Sequence, residues 1–182
     1  EKRNNFFLVR HGESEGNAVG DKISSNPLHN DLLTALGKKE ASDAGAQLKD
    51  TQIDVIITSP FVRTKETAQI IAETIGYTGE IIEDSRLVEI NTGDYDGKPW
   101  PSFMTHFASI KERFTTHVDG AENWEDTRKR ACEAMYDINA RYEGKNILVV
   151  SHGAPLHLID LASRGYSKEE IITHYYDDAF MN

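Results

Sequence analysis

Apolar residues in this chain gather in short unbroken runs separated by longer stretches with helical spacing. Phe6-Phe7-Leu8-Val9, Val55-Ile56-Ile57, Ile81-Ile82 and Ile147-Leu148-Val149-Val150 are the runs, each bounded by polar or turn residues. A run without polar alternation fits a strand covered on both faces, as in a parallel sheet. Between them, "LTALGKKEASDAGAQLKD" places Ala41, Ala44 and Leu48 on one helical face, with Thr34 as N-cap. "RTKETAQIIAETIGY" predicts a second helix closed by Gly76, and "APLHLIDLAS" a last one with Pro155 in its first turn. Residues 99 to 143 read as largely helical. Strands alternating with helices predict an α/β fold with a mostly parallel central sheet and helices on both faces. The segment 98–125 is expected to stand off the core as a lid.

Composition narrows the function. The chain has 182 residues, 38% hydrophobic, enough for one domain with a substantial core spanning 1–182. It carries 20 basic against 30 acidic residues, net −10. Such a surface repels nucleic acid and anionic membrane, so any bound phosphate must be held by a local cationic pocket. Cys132 is the only cysteine, which excludes an internal disulfide or a thiolate metal cluster and makes the cytoplasm the economical location. No apolar run reaches membrane-spanning length. "EKRNN" is no signal peptide, and the lack of an initiator Met predicts processing or trimming. Nothing in the pattern specifies an oligomer.

Three of the apolar runs end in residues suited to phosphate. Phe6–Val9 leads into Arg10-His11-Gly12, Val55–Ile57 into Ser59-Pro60 with Arg63 beyond, and Ile147–Val150 into Ser151-His152-Gly153. Arg10 and His11 taken alone fit either a surface loop or an anion pocket. In a parallel sheet, however, the C-terminal ends of strands share one edge, where α/β ligand sites form. The helices that follow aim their free N–H groups at the same place.

"RHGESEGN", "SPFVRTKETA", "LVEINTGDYDG" and "VVSHG" resemble, in order, the signatures of the histidine phosphatase superfamily, phosphoglycerate-mutase-like branch. "LTALGKKEA" matches its Leu-Thr-x-x-Gly-x-x-Gln-Ala helix start, with Glu40 at the usual Gln. The resemblance implies a three-layer α/β/α sandwich and a phosphohistidine intermediate, with no metal and no cofactor. By position it makes His11 the nucleophile and Glu89 the proton donor. Arg10, Arg63 and His152 would hold the phosphoryl group, and Asn17 and Gly153 would add phosphate contacts. The chemistry suits these types: two guanidiniums offer charged forks to the equatorial oxygens, and a neutral histidine nitrogen can attack phosphorus and leave again. Glu89 needs a raised pKa, which like-charge repulsion from a bound dianion would supply.

The expected activity is metal-independent hydrolysis of a small phosphomonoester by a histidine acid phosphatase-type enzyme. The alternatives are a cofactor-dependent phosphoglycerate mutase and a non-catalytic phosphate-binding module. Glycolytic mutases carry an Arg-His-Tyr-Gly stretch just after the acid glutamate, whereas Glu89 is followed here by "INTGDYDGKPW". A metal hydrolase would want ligand clusters, and arginines beside the histidines repel a cation. A P-loop enzyme needs a Gly-Lys-Ser/Thr loop, which is missing. His29, His106, His117, His157 and His174 have no phosphate context and read as surface or packing residues. Trp100, Phe103, Phe107 and Trp124 read as lid packing before substrate contacts. The chain stops at "DDAFMN", near where relatives begin a further strand, so a C-terminal piece is expected beyond it.

Overall fold

The computed structural model describes residues 3–175; the "DDAFMN" end lies outside them. Four strands, β1 (Asn5–Arg10), β2 (Val55–Thr58), β3 (Ile81–Glu83) and β4 (Asn146–Ser151), form one sheet in the order β1-β4-β2-β3. All three pairings are parallel, with Arg10 opposite Ser151 and Thr58 opposite Val150.

The apolar runs work as period-two strands buried twice. Phe6, Leu8, Val55, Ile57, Ile147 and Val149 face one layer, built from helices α6 (Trp124–Arg141) and α7 (Gly153–Ser163). Phe7, Val9, Ile56, Leu148 and Val150 face the other, built from α2 (Ala35–Gln47) and α3 (Val62–Ile75). The result is an α/β/α sandwich. β4 is its central member, and Ile147 to Val150 are all fully buried. Burying each such side chain is worth roughly 1.5–3 kcal/mol, so this strand anchors the edge that carries the chemistry.

The local signals for helices hold. The Thr34 side chain accepts from Gly37 N–H, and Gly76 closes α3 at φ 70°, a left-handed conformation natural to glycine. Residues 99 to 143 are largely helical, as α4 (Trp100–Met104), α5 (Ile110–Thr115) and α6, separated by non-helical stretches. Ser109 and Asn123 each cap a new start, accepting from the N–H of Glu112 and Asp126, and Gly120 turns the chain at φ 72°. Phe103, Phe114 and Trp124 from this region are buried with Leu158 and Leu161 of α7 and with Ile171 of α8 (Lys168–His174). The short helix α1 (Glu15–Ala18) follows β1 directly. No helix among the described residues is long and apolar enough to cross a membrane.

Candidate active site

The sheet order sets β1, β4 and β2 side by side, so their C-terminal ends present Arg10-His11, Ser151-His152 and Thr58-Ser59 along one edge. The ladder continues past the strands: His11 N–H donates to Ser151 O at 3.1 Å and Ser59 N–H to Val150 O at 3.0 Å. The His11 and His152 rings, 141 positions apart in sequence, consequently lie with centroids 5.2 Å apart.

His11 is held by both ring nitrogens. Nδ1 lies 2.7 Å from the carbonyl of Gly12, which can only accept, so Nδ1 carries the proton. Nε2 therefore holds the lone pair, and it receives the Nε–H of Arg63 at 3.1 Å. His152 is fixed the opposite way. Its Nδ1 accepts from Arg63 Nη2 at 3.2 Å, so its Nε2–H donates to Ser59 Oγ at 2.8 Å. Both imidazoles are pushed well below the ordinary histidine value, first by burial and then by Arg63, with Arg10 adding to the effect. A neutral histidine whose Nε2 is unprotonated becomes a competent nucleophile for phosphorus once Arg63 turns its N–H groups from that nitrogen to the phosphate oxygens.

Arg63 occupies the centre. It sits in the first turn of α3, stacks over Phe61 at 4.8 Å, and donates to the hydroxyl and carbonyl of Ser24 at 3.2 and 2.8 Å. Asp31 lies 3.6 Å away as its counterion, and its other oxygen accepts Gly16 N–H at 2.8 Å. Thr67 Oγ1 donates to the Arg63 carbonyl and accepts Gly12 N–H, linking α3 to the His11 loop. Gly12 and Gly37 meet backbone to backbone: a Cβ on Gly12 would fall 2.2 Å from Gly37 O.

Glu89 lies on the loop between β3 and α4, and four successive carbonyls of that loop are engaged. Arg130 donates to the carbonyls of Arg86, Val88 and Glu89 at 2.8, 2.7 and 3.0 Å, and Ser151 Oγ donates to that of Leu87 at 2.6 Å. Glu122 holds Arg130 through both carboxylate oxygens. Burial raises the Glu89 carboxyl above its ordinary value, against the opposing pull of Ile90 N–H at 2.8 Å and of Arg63, Arg10 and Arg130. The shift is thus present before any dianion arrives.

A cavity of about 220 Å³ joins these groups. Arg10, His11, Asn17, Arg63, Glu89 and Gly153 all line it, and His152 borders it through Arg63. Asn17 also serves the backbone, since its Oδ1 accepts Ser14 N–H and closes the capping box of α1. Trp100 and Trp124 reach the cavity, whereas Phe103 is fully enclosed. His157 is a buried packing residue, its ring stacked 4.5 Å from Tyr175. Sequence reasoning placed Ser59 at this edge without its bond to His152, and missed Ser24, Asp31 and Arg130. A buried arginine demands a counterion, which signals that some carboxylate must serve Arg63, but spacing does not say which. Among the described residues no group of three His, Cys, Asp or Glu side chains is arranged to hold a metal ion.

Known proteins supply the comparison. The model of the histidine phosphatase superfamily (branch 1) matches residues 6–179. The chain is 33% identical over 157 residues, 82% of its length and 71% of the relative's, to a 2,3-bisphosphoglycerate-dependent phosphoglycerate mutase of Thermoplasma acidophilum. It is 29% identical over 179 residues, 96% of its length and 82% of the relative's, to phosphoserine phosphatase 1 of Hydrogenobacter thermophilus. Among solved structures, Bacillus stearothermophilus YhfR superposes with a TM-score of 0.81 at 27% identity, covering 95% of this chain and 86% of that one.

Proposed function

This chain belongs to the histidine phosphatase superfamily, and from that premise we propose that it hydrolyses a small phosphomonoester through a phosphohistidine on His11. The observation that carries the reading is the unprotonated Nε2 of His11, its tautomer fixed by the Nδ1–H bond to Gly12, held against Arg63 in the same cavity as Glu89.

In the first step Nε2 attacks phosphorus and the P–O ester bond breaks, with Glu89 giving its proton to the departing oxygen. Arg10 and Arg63 hold the equatorial oxygens, His152 joins them once the dianion draws a proton onto the Nδ1 that otherwise accepts from Arg63, and Asn17 and the N–H end of α7 at Gly153 add contacts. In the second step water attacks the phosphohistidine, Glu89 takes its proton, and inorganic phosphate leaves with His11 neutral again. The opposed shifts suit this cycle. Burial favours neutral His11 and protonated Glu89 alike, which is the pair of forms that the first step needs. The cations that flank both histidines favour a metal-independent reaction. Residues 98–125 act as a cover, since Trp100, Met104 and Trp124 line the cavity. Hydrolysis is preferred over mutase chemistry because a mutase must shield its phosphohistidine from water and bind a second anion.

The test is phosphate release from alkyl and nitrophenyl phosphates, with and without chelator. His11→Ala should abolish release, and Glu89→Gln should slow alkyl phosphates more than nitrophenyl phosphate, whose leaving group needs no proton. Full loss with chelator, or release that survives His11→Ala, overturns the reading. Isomerisation of 3-phosphoglycerate outpacing phosphate release, with 2,3-bisphosphoglycerate as primer, would favour the mutase.

A further inference from the structure

Beyond the phosphate-binding residues, the cavity lining combines apolar or aromatic side chains, Trp100, Met104, Trp124 and Tyr175, with Asp21, Lys22 and Ser24. The charged groups lining the whole cavity are three cations, Arg10, Lys22 and Arg63, and three carboxylates, Asp21, Asp31 and Glu89. Asp31 already stands against Arg63 at 3.6 Å. A phosphate dianion therefore takes the balance negative by itself, inside a protein of net charge −10. Lys22 is exposed, so water screens its attraction for a further anion.

Asp21 is built into this lining. It has φ 52°, and no other non-glycine residue among those described has positive φ. Its N–H donates to Asn17 O at 3.2 Å, its carbonyl accepts Trp100 N–H at 3.4 Å, and its Oδ1 accepts Asn17 Nδ2 at 3.3 Å. Lys22 bridges to Pro99 and Ile23 N–H donates to Lys98 O, so the backbone here is tied to the start of the cover segment. An unusual backbone conformation, sustained by surrounding bonds beside a site, points to a role in that site.

We propose that this site selects phosphomonoesters whose alcohol carries no second anionic group, and that Asp21 favours an ammonium group on that alcohol, with a neutral hydroxyl next. The apolar lining residues would take the carbon skeleton, and the carboxylate of Asp21 would accept from the donor. This rests on the phosphatase reading above and adds the charge class of the substrate. It differs from what a phosphoglycerate or phosphoserine site needs, since both of those substrates carry a carboxylate.

Three two-carbon esters test it: O-phosphoethanolamine, 2-hydroxyethyl phosphate and 2-phosphoglycolate. The expected order of kcat/KM is the one written, with tenfold or more between the first and last. Asp21→Asn, which tolerates the left-handed backbone, should shrink the ratio of first to last at least fivefold. Lys22→Gln should leave that ratio unchanged or raise it. Equal or better use of 2-phosphoglycolate, or an unmoved ratio in Asp21→Asn, overturns the proposal. The same esters titrated calorimetrically against His11→Ala rank binding without turnover. The expected binding order without turnover in the wild type would sink the hydrolysis reading and keep this one. Turnover with the reverse order would sink this one alone.

Discussion

Two buried histidines at the sheet edge make stability fall on mild acidification. His11 and His152 are 6% and 0% exposed, and burial with Arg63 nearby holds both well below the ordinary value. In the unfolded chain each titrates near 6.5, so the unfolded state binds protons that the folded state refuses. The sign follows: their contribution is fully present above about pH 6.5 and is lost as pH falls toward their folded values. While both stay neutral in the fold, moving from pH 6.5 to 5.5 removes about 1 kcal/mol per histidine, or about 2 kcal/mol together. Glu89 has the opposite sign, because its raised pKa adds stability at low pH and withdraws it as pH rises through the folded value. Two groups against one leave acid destabilisation in this window. The assay is urea denaturation at pH 7.5, 6.5 and 5.5 at constant ionic strength, in buffers free of phosphate. The isolating variant is His11→Asn, whose amide can keep the bond to Gly12 O without a titrating group. It should reduce the loss between pH 6.5 and 5.5 by about 1 kcal/mol. A variant whose pH dependence matches the wild type would refute the claim that His11 is buried in neutral form.

Two further outcomes follow from the geometry. Gly12→Ala and Gly37→Ala should each cost about 3 kcal/mol in denaturation, because the new Cβ would fall 2.2 Å from Gly37 O or 2.1 Å from Glu13 O, both backbone; a cost under about 0.5 kcal/mol would show that the two loops slide apart freely. Arg130→Met releases three carbonyls of the Glu89 loop and leaves Glu122 half-buried without its partner, so stability should drop about 2–4 kcal/mol. Turnover of alkyl phosphates should fall more than that of nitrophenyl phosphate, since the displaced group is the proton donor; equal losses would mean that Arg130 serves the fold alone.

Much of the fold was legible because its signals are local. Four apolar runs, a Thr34 cap and a glycine stop at 76 each need only a few adjacent residues to act. The largely helical stretch over 99–143 is divided by signals equally local: Ser109 with Glu112 and Asn123 with Asp126 have the spacing of helix starts, and helical periodicity alone does not place those breaks. Trp100 and Trp124, which reach the cavity, could not be told from enclosed Phe103 by type, since only packing decides which ring faces the opening.

The sequence by itself determined which residues end the strands, and hence that Arg10, His11, Ser59, Ser151 and His152 share one edge once the sheet is parallel. It determined the residue types at that edge, and with them the family. Tertiary structure alone decided that β4 lies between β1 and β2, that Arg63 is countered by Asp31 and braced by Ser24, and that Arg130 fastens the loop of Glu89. It also decided the protonation of the site. Periodicity and caps act over one or two turns of chain, so they are written where they act. A pKa or a counterion depends on burial and on distances of a few ångströms between residues far apart in sequence, and those quantities exist only after the layers have packed.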